Sequence, residues 1–419
     1  MKKSTLALAI ALAAIAQQAA AAGFIEDSKA SVSSRTLYFD NDQRDGGADQ
    51  RETATGLKFD YKSGFTQGVV GFGIDAQALV GIHLDGGRGH HPNNNSFVPS
   101  DSDGSAVSNW SSASANAKAR FSKTEAHLGG ALSPNLPILI ASDGRLLPQT
   151  FEGGTVTSKE IDNVTFNAGQ LEHATGRAST NSTGLAVNGG TEESNKFRFG
   201  GADWKVTKDL TLQYYYANLE DYYKQHFLGL LHVYPISEGQ SFKTDLRYFD
   251  SSSDGKNGQA GYRFNNNGGY AKNAGEVDNK TWSAMFTYTL GGSAVMLGHQ
   301  RVNDDGGFVW VNQGSVVDGN GRNEGAGGSS FARVKTPPSV STLTTSLHWV
   351  FQVCEPRLPT CTATTSKPWA VAVISPSGNA ICVSTTPFRP ARSKVLAPLC
   401  GTVRTVAAAL VSRTRIRHA

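Results

Sequence analysis

The sequence predicts an all-β protein, a transmembrane antiparallel β-barrel, from three observations. The chain opens with an export leader, its hydrophobicity alternates with a period of two, and the face opposite each apolar row carries ionised side chains. After the leader no run of 18 uninterrupted apolar residues occurs, so no helix of the mature chain is expected to cross a bilayer.

The leader is residues 1–22. Lys2 and Lys3 precede an apolar stretch from Leu6 to Ile15, and small residues ending Ala20, Ala21 and Ala22 stand before Gly23. No cysteine near residue 23 can take a lipid, which leaves a soluble exported protein or a barrel.

Alternation marks the strands. In 281–290, Trp282, Ala284, Phe286, Tyr288 and Leu290 share one face, and Thr281, Ser283, Met285, Thr287 and Thr289 share the other. Leu57, Phe59 and Tyr61 alternate with Lys58, Asp60 and Lys62; Phe242, Leu246 and Tyr248 alternate with Lys243, Asp245 and Arg247. In 209–219 the apolar row is Leu210, Leu212, Tyr214 and Tyr216. Further runs begin near residues 30, 66, 113, 122, 163, 195, 226, 293 and 307, about a dozen strands before residue 332 with no amphipathic helix.

A soluble sandwich also alternates, but it would turn its apolar rows inward. Charge on the second face favours a water-filled lumen with apolar and aromatic side chains against lipid, and closure removes edges that hydrocarbon cannot satisfy. Aromatics at strand ends, such as Tyr38 and Phe39, Tyr214 to Tyr216, Tyr222 and Tyr223, and Trp282, suit an interfacial girdle. Long polar segments at 85–111 and 250–280 suit long loops at one rim. Residues 134–153 fit neither strand nor solvated loop: Pro134, Pro137 and Pro148 forbid a central strand, and a half-apolar segment of this kind is either a loop folded into the lumen or a packed surface loop.

Other chemistry is poorly supported. Gly71-Phe72-Gly73-Ile74-Asp75-Ala76 matches a dinucleotide-binding pattern but continues as a strand rather than a helix. His83, His90 and His91 have Asp85 as their one nearby acid and read as surface histidines, and a cation among Asp101 and Asp103 has no support, so neither metal nor cofactor is expected. No grouping of nucleophile, base and orienting acid suggests an enzyme.

Several segments resemble the OprD-type outer-membrane porins of Gram-negative bacteria: GFIEDSKAS at 23–31, SGFTQGVVGFGIDA at 63–76, LPILIASDGRLLPQTFEGG at 136–154 and VTKDLTLQYYYANLEDYYKQHFLGL at 206–230. LRYFDSSSDGKNG at 246–258, DNKTWSAMFTYTLG at 278–291 and GHQRV at 298–302 continue the likeness to about residue 330. It is greatest to the branch that passes carboxylates, including benzoate- and vanillate-like aromatic acids.

The resemblance implies an 18-stranded monomeric barrel over 23–332, with 134–153 as the constriction loop inside it. It implies passive diffusion of small carboxylate solutes along a ladder of basic residues. Matched motif by motif, the solute path would run past Arg44, Arg145 with Asp143 beside it, Arg177 and Arg301. Arg suits this role because its planar fork meets a carboxylate with two hydrogen bonds, and a row of weak sites conducts where one tight site would hold the solute. The implied partners are small carboxylates, outer-membrane lipids and the barrel-insertion machinery. The alternatives are a basic-amino-acid-selective porin of the same family and an exported soluble β-sandwich binding protein.

From residue 333 the composition changes. Residues 333–419 hold 11 of the 39 Lys/Arg and one of the 35 acids, Glu355, a net +10, so residues 1–332 stand at −6. The overall +4 therefore describes neither part and is no nucleic-acid footprint. Only Gly378 and Gly401 of 46 glycines lie there, with 9 of 15 prolines and all four cysteines. Such a basic, Pro-, Cys-, Ser- and Thr-rich segment is expected to be disordered or the product of out-of-frame translation, leaving the barrel incomplete; the alternative is a real tail in which Cys354, Cys361, Cys382 and Cys400 form disulfides.

Overall fold

A computed structural model describes residues 23–311, apart from 43–47, 87–88, 93–94, 96, 266–270, 292 and 304, and five short strands beyond. Arg44, the leader and most of 333–419 lie outside the described residues. All regular structure described is β.

The strands are β1 (Lys29–Asn41), β2 (Gln50–Lys62), β3 (Val70–Asp85), β4 (Asn109–Phe121), β5 (Thr124–Leu132), β6 (Asn135–Leu136), β7 (Leu139–Ile140), β8 (Thr150–Ser158) and β9 (Val164–Thr175). They continue as β10 (Ser182–Gly184), β11 (Phe197–Lys205), β12 (Leu210–Leu219), β13 (Tyr223–Ser237), β14 (Gln240–Ser253), β15 (Asp278–Leu290) and β16 (Ser293–Val302). Beyond these lie β17 (Ser315–Val317), β18 (Asn323–Gly325), β19 (Thr345–His348), β20 (Val371–Ile374) and β21 (Ala380–Val383).

One 15-stranded antiparallel sheet runs β1-β2-β3-β4-β5-β8-β9-β11-β12-β13-β14-β15-β16-β19, with β10 beside β9. From β1 to β16 every neighbour is next in the chain once the inserted β6–β7 and β10 are set aside, so this is an up-and-down wall; β19 then pairs with β16 past β17 and β18. Its principal strands, of 9 to 16 residues, reach the roughly 9–11 residues that a tilted strand needs to cross hydrocarbon. Among the described residues β1 pairs only with β2, and no pairing closes the wall.

Register sorts the two faces. Tyr214 on β12 stands opposite Leu228, Leu228 opposite Tyr248, and Tyr248 opposite Trp282, so one level of the outer face is a row of large side chains. Phe242 opposite Tyr288 forms a second aromatic level nearer the other rim, with Leu230, Leu246 and Ala284 between. Val32, Phe59, Phe72, Leu84, Leu128, Val156, Phe166 and Trp204 are likewise exposed on this face. A soluble sandwich would have buried these rows; here they form an apolar band between aromatic levels, the surface that meets lipid.

The opposite face lines the interior, because the long connections fold onto it. Leu146 and Leu147 pack with Ala54, Leu79, Trp110, Phe97 and Val98. Ile138, Leu139, Leu185, Val187 and the segment 308–311 pack on Leu171, Phe197, Tyr215, Tyr223, Phe227 and Phe249. Each fully buried large side chain contributes about 1.5–3 kcal/mol, so these clusters anchor the loops inside the wall. The interior is therefore not uniformly polar: apolar patches sit where loops dock and charged rows where they do not.

Two expected boundaries shift. The run beginning near residue 307 is no strand; Phe308, Val309, Trp310 and Val311 are a buried plug on the inner wall. The loop expected at 134–153 ends at Gln149, because Thr150 already pairs with Thr175 in the wall. The glycine pattern at 71–76 lies within β3, where a side chain on Gly73 would strike Lys118 and the carbonyl of Gly64, so tight packing explains it.

Connections at one rim are short: 122–123, 238–239, 206–209, 159–163 and 63–69. At the other rim 86–108, 133–149, 176–196 and 254–277 are long, and 220–222 is the short exception among the described residues. Short turns mark the periplasmic rim of bacterial barrels, long loops the extracellular one.

Candidate functional site

The 133–149 connection crosses the inside of the wall. Its first part is the β6–β7 hairpin around Pro137. It returns through hydrogen bonds from Ala141 N to Pro134 O at 2.9 Å, Gln149 N to Ser142 O at 2.8 Å and Ser142 N to Gln149 Oε1 at 3.2 Å. Leu146 and Leu147 then settle over Gly56 of β2, where a Cβ would lie 2.9 Å from Leu147 Cδ2 and 3.0 Å from Leu146 O. Only a residue without a side chain lets the loop approach so closely.

The crest of the loop is Ser142-Asp143-Gly144-Arg145. Arg35 of β1 reaches it with a fork: Nη1 donates to Asp143 Oδ1 at 2.9 Å and Nη2 to Asp143 Oδ2 at 3.2 Å. The same Nη1 meets the backbone oxygens of Asp143 and Arg145. Both side chains remain about half exposed, so the pair is wet and available to a solute.

Arg145 lies half-buried with its guanidinium 5.0 Å from the centre of the Phe39 ring. Arg177, just past the end of β9, donates from Nη1 to Ser142 Oγ at 3.1 Å and passes beside Gly144. Both arginines lie outside the spanning strands. Burial lowers both pKa values from the ordinary arginine range, and the charge of Arg145 lowers that of Arg177 further. Two cations and the Arg35–Asp143 pair thus converge on one crest.

Three of the residues singled out from the sequence, Asp143, Arg145 and Arg177, come together here. Arg44 lies outside the described residues. Arg301 does not join them: it stands opposite Trp282 on the outer, apolar face of β16, in step with Val295 and Leu297. Arg35 was not singled out in the sequence, because its partner is 108 residues away.

On the short-turn side of the crest the interior opens into a cavity of about 630 Å3. Lys29, Lys58 and Lys62 line it with Asp60, Asp75 and His127. Lys58 pairs with Asp60 at 3.0 Å, and nearby Lys118 with Asp75 at 2.7 Å. Among the described residues no ion pair involves Lys29 or Lys62. Lys58 and Lys62 belong to the charged row that alternation assigned to the second face of β2, and Lys29 begins β1 beside them.

The histidines expected at the surface are partly a correction. The His91 side chain is 7% exposed and its Nδ1 lies 2.6 Å from Oε1 of Glu52, a carboxylate with no exposure at all; His83 Nε2 is 3.6 Å from the same oxygen. A buried carboxylate has to be paired, and it draws these rings under the 86–108 loop. No cluster among the described residues has the make-up of a metal site.

Comparison with known proteins follows the same lines. A family model described as outer membrane porin, OprD family, matches residues 22–324. The porin-like protein GalP of Pseudomonas putida is 35% identical over 316 residues, 74% of this chain and 72% of the relative. Porin D of Pseudomonas aeruginosa is 33% identical over 342 residues, 79% of this chain and 72% of the relative. Among solved structures, Pseudomonas aeruginosa OccK8 (OprE) matches at 46% identity and a TM-score of 0.63, over 70% of this chain and 72% of that one. Pseudomonas aeruginosa OpdK, solved with vanillate, matches at 32% identity and a TM-score of 0.62, over 70% and 71%. These relatives are channels rather than enzymes, and they reside in the outer membrane of Gram-negative bacteria. With its lipid-facing aromatic levels, loop-filled interior and family match over most of its length, this chain belongs to the OprD family of outer-membrane porins.

Proposed function

We propose that the chain passes small organic acids, with Arg145 and Arg177 receiving the carboxylate at the crest and Lys58, Lys62 and Lys29 taking it onward. The observation that carries this reading is the convergence of two guanidiniums beside an Arg35–Asp143 pair that is itself a carboxylate held by an arginine fork. An entering carboxylate can compete with Asp143 for that fork, and each contact replaces hydration without trapping the solute. The OpdK neighbour, solved with vanillate, supports an aromatic acid as solute. The protein works as a monomer, taking no cofactor, inserted by the barrel-assembly machinery.

Residues 333–419 form part of the same reading. The family match ends at residue 324, and the composition break at 333 supports an origin outside the porin frame. Sequencing the gene across codons 325–340 tests this, and an uninterrupted frame overturns it.

Reversal potentials in planar bilayers, with benzoate against chloride and with arginine as a competing cation, test the solute class on the full chain and on a frame-restored chain. Benzoate preference supports the proposal. Arginine preference points to the basic-amino-acid branch instead.

A further inference from the structure

We infer that Glu52 and His91 are positioning residues that hold Arg145 in place at the crest, through a chain of contacts running from the extracellular loop 86–108. Glu52 stands directly opposite Phe39 in the β1–β2 register, and its carboxylate is wholly buried. It accepts from Gln50 Nε2 at 2.6 Å and meets His91 Nδ1 at 2.6 Å. An ionised carboxylate only accepts, so His91 carries its proton on Nδ1, which leaves Nε2 to accept from Ser100 Oγ at 2.9 Å when the ring is neutral.

His91 and Glu52 also flank Asn95, whose Oδ1 accepts from the backbone N–H of Phe97 at 2.8 Å and of Val98 at 2.9 Å. That fixes Phe97, whose ring stacks on Phe39 at 5.8 Å and 29°. Arg145 also lies over the Phe39 ring, with its guanidinium 5.0 Å from the ring centre. Phe97 and Val98 also share the cluster that seats Leu146 and Leu147. A carboxylate buried at the wall thus determines where a guanidinium stands in the pore, with two stacked rings between them.

This inference rests on the proposal that Arg145 meets the permeating anion, but its test does not. Modification of arginines by phenylglyoxal, a reagent small enough to enter the pore, is followed by mass spectrometry on the detergent-folded full chain. In Glu52→Gln and in His91→Leu, Arg145 is expected to react about tenfold faster than in the unmodified protein, while Arg177 and Arg198, an exposed residue of β11, keep their rates. His91→Gln, which retains a donor, restores slow reaction. Should Glu52→Gln fail to fold, Asn95→Ala gives the same reading with a milder change. Unchanged Arg145 reactivity overturns the inference, as does a rise shared equally by Arg177 and Arg198. Arg145→Gln, tested in parallel for benzoate selectivity, decides the underlying proposal separately.

Discussion

Arg35 and Asp143 join the first strand of the wall to the crest of the inserted loop through two side-chain hydrogen bonds of 2.9 and 3.2 Å, across 108 residues of chain. Because both groups are half exposed, the pair contributes about 0–1 kcal/mol. Its consequence is geometric. Arg35→Gln is expected to leave the melting temperature within a few degrees of the parent and to raise single-channel conductance by releasing the crest. Asp143→Asn frees the Arg35 fork and is expected to raise preference for anions. A conductance unchanged by both substitutions would show that the crest is held elsewhere.

Removal of either crest cation has a measurable effect on selectivity. Arg145→Gln and Arg177→Gln should each lower the benzoate-to-chloride permeability ratio about fivefold, the equivalent of about 1 kcal/mol for a charged hydrogen bond weakened by water. Arg301→Gln should leave the ratio alone, since that side chain stands beside Trp282 on the lipid face. Reversal potentials of the three variants check the register directly.

Gly56 sets the height of the loop. In Gly56→Ala the new methyl meets Leu147 Cδ2 and Leu146 O at about 3 Å, so the loop or the wall has to move. Such overpacking costs about 1–3 kcal/mol, and urea titration of the variant should show it together with altered conductance.

The two faces of the wall should tolerate charge differently. Leu246 lies mid-strand on the outer face, and Leu246→Arg is expected to lose roughly 2–4 kcal/mol of folding stability in lipid vesicles. Ser31→Lys, on the inner face opposite Asp60, should fold normally and change only ion selectivity. Equal penalties for the two would contradict the inside-out arrangement.

A pH effect is expected at a periplasmic turn. The Glu160 carboxylate accepts from Lys123 N at 2.8 Å, Thr124 Oγ1 at 3.0 Å and Ser122 Oγ at 3.0 Å, and these bonds hold its pKa below the ordinary range. A depressed folded pKa gives stability that is present above the unfolded pKa and lost as pH falls through the folded one. Acid titration of folding should therefore lose a component below about pH 4.3 that Glu160→Gln lacks.

Much of the wall was legible in advance because period-two alternation is local: Trp282 to Leu290 and Lys58 to Lys62 took the faces their parity assigned. Parity also held the correct answer for Arg301, in step with Val295 and Leu297, although the motif around it pointed to the lumen. The plug at 308–311 is as hydrophobic as a strand, and composition alone could not tell burial in the wall from burial against it.

By itself the sequence determined the sidedness of the strands, since parity depends on neighbours within a few residues, and it marked 134–153 as neither strand nor solvated loop. Only the tertiary structure decided that Arg35 grips Asp143, that Gly56 yields to Leu147, and that Glu52 gathers His91 and His83. Those contacts join positions far apart in the chain, brought together by strand register and by the burial of the loop's apolar side chains on the inner wall.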